Sequence, residues 1–358
     1  MKSENDPKKK TILVAPLHWG LGHATRCIPI IKSLIENDYE VLIGSDGAAL
    51  MLLKKEFPEL GFIDLPAYDV KYSQKGIFFK WKMMLGMPKI QKAIRRENRI
   101  VSNLVAESKI NGIISDNRMG VYHKNIPSVY ITHQLNVLSG STSAISSKMH
   151  QRIIRKFDQC WIPDLEGSIN LSGKLGHLND HSLNLKYIGP ISRMAKRNLP
   201  SRYDKLILLS GPEPQRTLLE VKMLEVFQNT EEEILLVRGV VSDRSQNLKK
   251  GNITIVDFMQ SQELEEAINQ SELVISRPGY TTIMDLASLE KPAFFIPTPG
   301  QYEQKYLAKQ LRDQGIVPSC KQEKFSLKKL RKVPAYRGLK TMKPGTELGE
   351  LFGLFQGE

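Results

Sequence analysis

His18 and His23 stand five residues apart in the stretch PLHWGLGHATR (16–26), with Gly20 and Gly22 between them. Imidazole titrates near neutrality, so it can take a proton from a hydroxyl or ligate a metal. Glycine lets the backbone turn sharply and approach a ligand closely. Taken alone, the stretch suits a nucleotide loop, a metal site or a catalytic turn. The two histidines have no obvious third ligand and no Asp-x-Asp motif ends a strand, so no metal is expected. Asp116, which ends the apolar run NGIISD (111–116), is a second candidate for acid–base work, with turn or helix capping as its plain alternative.

A second constellation lies in VISRPGYTTIMDLASLEKPAFFIPTPGQYEQ (274–304). A strand is expected to end at Ser276, Arg277-Pro278-Gly279 to turn, and a helix to start near Tyr280. The unpaired N–H groups of Gly279, Tyr280, Thr281 and Thr282 then make an anion site suited to a phosphate or pyrophosphate. Asp285, one turn further on, can accept hydrogen bonds from vicinal hydroxyls such as those of a ribose; complementing the helix dipole is its plain role. Gln301, Glu303 and Gln304 form a polar set able to grip sugar hydroxyls. Phe258 and Met259 follow another strand and suit a flat base.

Two series of elements must position these groups. TILVA (11–15), YEVLIGS, NGIISD, PSVYITH and QCWIP read as short strands in the first half, with a helix over 24–36 after the first. KLILLSG, EEILLVRG, NITIVDF, ELVISRPG and PAFFIPTP form the second series, also separated by helical segments. Strands alternating with helices imply βαβ units, hence two doubly wound parallel-sheet α/β domains. The stretch YIGPISRMAKRNLPSRYDK joins them, placing the domains at 1–192 and 193–330 with a tail at 331–358. Open parallel sheets bind ligands beyond the carboxyl ends of their strands, which makes the cleft between the domains the expected site.

Composition bounds the setting. The 358 residues are 41% hydrophobic and 25% charged, ordinary for a globular protein. Three scattered cysteines, no secretory leader and no apolar run of membrane-spanning length lead to a cytoplasmic expectation. The net charge of +13 is concentrated in two places: residues 75–99 hold eight basic residues and one acid, and 321–345 hold nine and one. The first mixes Phe78, Phe79, Trp81, Met83, Met84 and Leu85 with its cations, a composition that suits an anionic membrane surface or, equally, the packed wall of a pocket. No RNA or DNA motif accompanies either stretch, so nucleic acid is not an expected partner.

The order F-hydrophobic (258–259), S-R-x-G-x-T-T-x-x-D (276–285) and P-x-P-x-x-x-E-Q (297–304), with G-L-G-H (20–23) after the first strand, resembles the GT-B glycosyltransferases of family 28, the MurG and plant galactolipid synthase family. The resemblance implies a GT-B fold of two Rossmann-like domains. It implies that Met259, after Phe258, holds the uracil of a UDP-sugar, Asp285 the ribose, and Gly279 to Thr282, with Arg277 before them, the phosphates. Gln304 then holds a sugar hydroxyl, and Arg193 in G-P-I-S-R matches an arginine near the donor phosphates. His23 faces the reacting centre; His18, Gly20, Gly22 and Asn136 line the acceptor side. The family's glycine-rich donor loop is here S-G-P-E-P-Q-R: Ser210 and Gly211 remain, Pro212 and Pro214 remove two N–H donors, and Gln215 and Arg216 are expected to supply contacts instead. Lys305 replaces the usual second glutamine.

The implied function is transfer of a hexose or N-acetylhexosamine from a UDP-sugar to an acceptor hydroxyl, with inversion and no cofactor. The acceptor is expected to be lipid-linked, with the protein at the inner face of the plasma membrane. A sugar-nucleotide hydrolase or epimerase of the same fold, or a non-catalytic UDP-sugar-binding partner subunit, stays open at this point. The basic tail is expected to return to the first domain, beside residues 75–99.

Overall fold

The computed structural model describes residues 9–68, 76–138, 142–178, 182–240, 247–340 and 347–357, and the side chains of all these except 76–87. The first sheet contains β1 (Thr11–Pro16), β2 (Glu40–Ser45), β3 (Gly61–Asp64), β4 (Gly112–Asp116), β5 (Ser128–Ile131), β6 (Gln159–Ile162) and β7 (Leu185–Tyr187), all parallel, in the order β3-β2-β1-β4-β5-β6-β7. Helices α1 (Gly22–Glu36) and α2 (Gly47–Glu56) contribute to the core on one face. The C-terminal half of α3 (Gly76–Ala106) packs on the other, through Val101 and Leu104. Covered on both sides, β1 and β4 are apolar runs rather than alternating ones. Helix α4 (Ser143–Ile154) adds Ile154 to a separate cluster around Tyr130 and Phe157.

The second sheet contains β8 (Tyr203–Leu208), β9 (Ile234–Val237), β10 (Asn247–Lys250), β11 (Ile253–Val256), β12 (Ser271–Ser276) and β13 (Ala293–Phe295), in the order β10-β11-β9-β8-β12-β13. Only β10 runs antiparallel; it is exposed throughout, and Lys249 and Lys250 blunt the sheet edge it forms. Around the sheet lie α5 (Gln215–Phe227), α6 (Ser261–Asn269), α7 (Tyr280–Ser288) and α8 (Tyr302–Asp313). The strand order reverses direction between β1 and β4 in one sheet and between β8 and β12 in the other. These are the two points where a doubly wound sheet opens a crevice for ligand. Both crevices face the boundary between the domains, where the N-termini of α1 and α7 meet.

The C-terminal chain follows a different route from the one expected. Phe325 and Leu330 stay on the second domain, in the core face that also holds α5, and Leu339 enters that domain's other core. Leu171 and Leu175 of the first domain also pack in that other core. The basic run from Lys321 to Lys332 therefore lies on the opposite face, away from the first domain, and the return comes at 347–357 rather than at 331. There Leu351, Phe352 and Phe355 join the first-domain core beside Tyr39 and Trp161. Gly112 makes room: a Cβ on it would lie 2.5 Å from the Phe355 ring. Phe355→Ala is expected to cost about 3–5 kcal/mol, as large-to-small core substitutions do, read as a lowered urea midpoint for the full chain.

Candidate active site

The candidate centre sits at the β1–β4 reversal. Pro16 and Asp116 are register partners at the ends of these strands, so the chain leaving β1 starts beside Asp116. Gly20 turns it with φ of 81°, and α1 then begins at Gly22, placing His23 and Arg26 on one helical face toward Asp116. His23 Nδ1 is 2.7 Å from Asp116 Oδ1, and Arg26 donates through Nε and Nη2 to both oxygens of the same carboxylate. The Cys27 thiol adds a contact at 3.7 Å. Arg26 and Asp116 are fully buried. Burial would raise the Asp116 pKa, but Arg26 and then His23 outweigh it and hold the carboxyl down at about 2. An ionised Asp116 accepts only, so a hydrogen bond to it puts the ring proton of His23 on Nδ1 and leaves Nε2 as the basic nitrogen.

His18 lies on a second network. Its Nδ1 is 3.1 Å from Asp46 Oδ2, and Asp46 also accepts from Arg118 Nη2. Arg118 is fully buried and donates in turn to Glu97 (2.7 Å) and to the carbonyls of Pro16 and Pro66. Tyr68 and the Gly120 N–H complete the set on Glu97. Gly47 is required here, because a Cβ would fall 2.3 Å from the His18 ring.

A third set crosses between the domains. His133, just past β5, has Nδ1 3.1 Å from Arg26 Nη1 and Nε2 2.8 Å from Glu303 Oε1, and stacks on Tyr280 with ring centroids 4.1 Å apart. Burial pushes the His133 pKa down, against the pull of Glu303. Tyr280 donates to the Pro163 carbonyl and Thr281 to the Gly22 carbonyl, joining the first turns of α7 and α1. Gly22 allows this approach: a Cβ there would meet Thr281 Oγ1 at 3.0 Å.

The donor-side residues fall into two groups. Gly279, Tyr280, Thr281 and Thr282 open α7 toward the cleft, and Asp285 is buried one turn on, accepting from Ser192 Oγ at 2.7 Å. Burial raises the Asp285 pKa while Arg193 opposes the rise. Arg193 donates to Ser261 and lies 3.8 Å from Glu56. Its contacts thus lie on the Asp285 side of the cleft instead of at the opening of α7. Met259 packs on the second-domain core and Phe258 on the first, so the two flank the domain boundary. Gln304 accepts from the Thr298 N–H at 2.8 Å, which shapes the loop after β13.

Other residues are placed differently from expectation. Arg277 is fully buried and donates to the carbonyls of Ile296 and Gln215 and to Gln322, so it ties the second domain together beneath the cleft. Asn136 spends its amide on the carbonyls of Lys174 and His177. Arg216 is held by Glu213 and the Arg238 carbonyl, and Gln215 opens α5, whereas Ser210 and Gly211 stay exposed after β8. Sequence reasoning missed Arg26, His133, Asp46, Arg118, Glu97 and Tyr68. Arg26 carried a local signal, three residues after His23 on a helix, and Asp46 and His133 lie just past strand ends; the others meet through the tertiary fold.

Comparison with known proteins follows from this geometry. Residues 212–336 match the glycosyltransferase family 28 C-terminal domain. An uncharacterized glycosyltransferase of Methanosarcina acetivorans is 24% identical over 339 residues, covering 83% of this chain and 82% of its own. The UDP-N-acetylglucosamine–N-acetylmuramyl-(pentapeptide) pyrophosphoryl-undecaprenol N-acetylglucosamine transferase of Actinobacillus pleuropneumoniae serotype 5b is 24% identical over 316 residues, 85% of this chain and 83% of its own. In fold, the chain is similar to Acinetobacter baumannii MurG (TM-score 0.58, 14% identity, 98% of this chain and 100% of that one). It is also similar to the glycosyltransferase SnogD of Streptomyces nogalater (TM-score 0.63, 12% identity, 97% and 100%). Two facing sheets, crevices at both reversals and a second domain that matches the family 28 C-terminal domain come together in one molecule: the chain is a glycosyltransferase of GT-B fold, similar to MurG.

Proposed function

We propose that the enzyme transfers a hexose or N-acetylhexosamine from a UDP-sugar to a hydroxyl of a lipid-linked acceptor, with inversion and without a metal. The observation that carries this reading is the His23–Asp116 pair set beside the opening of α7. His23 Nε2 takes the acceptor hydroxyl proton as that oxygen attacks the anomeric carbon. The bond from that carbon to the diphosphate oxygen breaks, and UDP leaves with the electron pair. Asp116 stabilises the imidazolium, and the first N–H groups of α7 meet the charge growing on the diphosphate. In this reading the acceptor oxygen attacks from the side opposite the diphosphate, a single displacement and hence inversion. Asp285 takes the ribose hydroxyls in this reading, and Met259 and Phe258 flank the uracil.

The lipid-linked acceptor is supported by the name of the Actinobacillus relative, whose acceptor is a pyrophosphoryl-undecaprenol compound. No helix among the described residues is long and apolar enough to cross a membrane, so docking at a surface is the form proposed. Helix α3 suits that role. Its Glu97 is buried against Arg118 on the side of the His18 network, while Lys89, Lys92, Arg96 and Arg99 are exposed at helical spacing on another side. The side chains of Lys80, Lys82 and the aromatic residues of the same expectation lie outside the described residues.

Three outcomes test the reading. His23→Ala is expected to lower the kcat for UDP release by about 10²–10⁴-fold with little change in KM for the UDP-sugar; an unchanged kcat removes His23 as the base. Release at the full rate without any acceptor would instead favour sugar-nucleotide hydrolysis. UDP is expected to raise the melting temperature of the wild type, and Asp285→Ala to abolish that shift; a persisting shift counts against the donor site. Changing Lys89, Lys92, Arg96 and Arg99 together to Glu is expected to weaken sedimentation with phosphatidylglycerol vesicles by more than about tenfold, each surface cation being worth about 1 kcal/mol. Equal binding by both proteins rejects the membrane face.

A further inference from the structure

The described polar network contains a conflict at His23 that the fold resolves from a distance. Nδ1 of His23 lies 2.7 Å from an Asp116 oxygen and 2.9 Å from Arg26 Nη2. A carboxylate can only accept and a guanidinium can only donate, so the ring cannot satisfy both with one nitrogen. If Nδ1–H points to Asp116, Nε2 is a base. If Nδ1 accepts from Arg26, the ring proton moves to Nε2 and the histidine cannot take a proton from an acceptor.

His133 bears on that choice. Arg26 Nη1 is 3.1 Å from His133 Nδ1, which must be the acceptor because Arg26 has no lone pair to offer. The His133 proton is then on Nε2 and is donated to Glu303 Oε1 at 2.8 Å. The Tyr280 ring, parallel within 3°, holds the imidazole in plane for both bonds. Glu303 and Tyr280 belong to the second domain, and His133, Arg26, Asp116 and His23 to the first.

We propose that His133 is a positioning residue that sets the tautomer of His23 according to whether the donor domain is engaged. With Glu303 on Nε2, His133 keeps its Nδ1 lone pair on Arg26 Nη1, which holds the guanidinium in its two-pronged contact with Asp116. Without Glu303, His133 Nε2–H loses its acceptor, the ring is free to leave Arg26 Nη1, and the guanidinium is free to settle on His23 Nδ1. The base is thereby armed only when the second domain is in place, which limits proton transfer to water in an open cleft. The proposal rests on the reading of His23 as the base.

Long-range proton–nitrogen NMR spectra of the full chain, labelled with nitrogen-15 and recorded near neutral pH, read the tautomers directly, His23 and His133 being assigned from His23→Gln and His133→Gln. The expected result is Nε2–H for His133 and Nδ1–H for His23, with His23 shifting toward Nε2–H in Glu303→Ala. Glu303→Gln keeps an oxygen acceptor and is expected to restore the wild-type pattern. In UDP release, Glu303→Ala is expected to lower kcat on the order of tenfold, as residues coupled at a distance do, with rescue by Glu303→Gln. A His133 with its proton on Nδ1, or a His23 tautomer unmoved in a Glu303→Ala protein of wild-type melting temperature, overturns the proposal. A His23 tautomer that responds while His23→Ala keeps its kcat leaves the coupling standing and refutes the base assignment, so the two failures are distinguishable.

Discussion

The buried pair of Arg26 and Asp116 is the interaction on which the cleft depends. Neither group touches solvent, and an isolated charge in that position would be costly. Losing one partner of such a pair typically costs about 3–5 kcal/mol, because the other is left buried and unpaired. The pair persists because the carboxylate receives donors from every side: two N–H groups of Arg26, the His23 ring and the Cys27 thiol. Its geometry is inherited from the sheet. Asp116 ends β4 opposite Pro16, and α1 starts one short turn later, so strand register and helix phase together aim His23.

The same economy of position governs the glycines that matter. Gly22 and Gly47 are not general sources of flexibility but places where a side chain would strike Thr281 or His18. Each marks an approach between elements far apart in sequence. Arg277 makes the complementary point. A cation in a motif that reads as phosphate-binding is instead consumed by backbone carbonyls and Gln322 below the cleft. Burial without a counter-charge lowers its pKa to about 10.

Much of the fold was legible because buried parallel strands leave continuous apolar runs. TILVA, NGIISD, ELVIS and their equivalents all fall on strands. The short edge strands β3, β7 and β10 escaped, being too brief or too polar to leave a pattern. At the site, His23, Asp116 and the opening of α7 were readable because each immediately follows a strand end. Arg118, Glu97 and Tyr68 come from separate stretches of chain and meet only in the fold, so no spacing announces them, whereas Asp46 does follow a strand end, that of β2, and was passed over. Asn136 shows the converse: a polar residue in a suggestive motif whose amide bonds serve two carbonyls of its own domain.

The return of residues 347–357 to the first domain has a mechanical consequence. The chain leaves the first domain after β7 and ends on it again, with Leu339 in the core of the second domain and Leu351, Phe352 and Phe355 in that of the first. A body joined by one strand can swing and twist freely, whereas a second tether restricts it; here Ser192 and Arg193 of the first crossing border the same hollow as Glu347, Leu348 and Gly349. Phe352 and Phe355 fasten that returning end to the first domain. Any rotation of one domain against the other would then pivot beside that hollow, at the far side of the chain's own return.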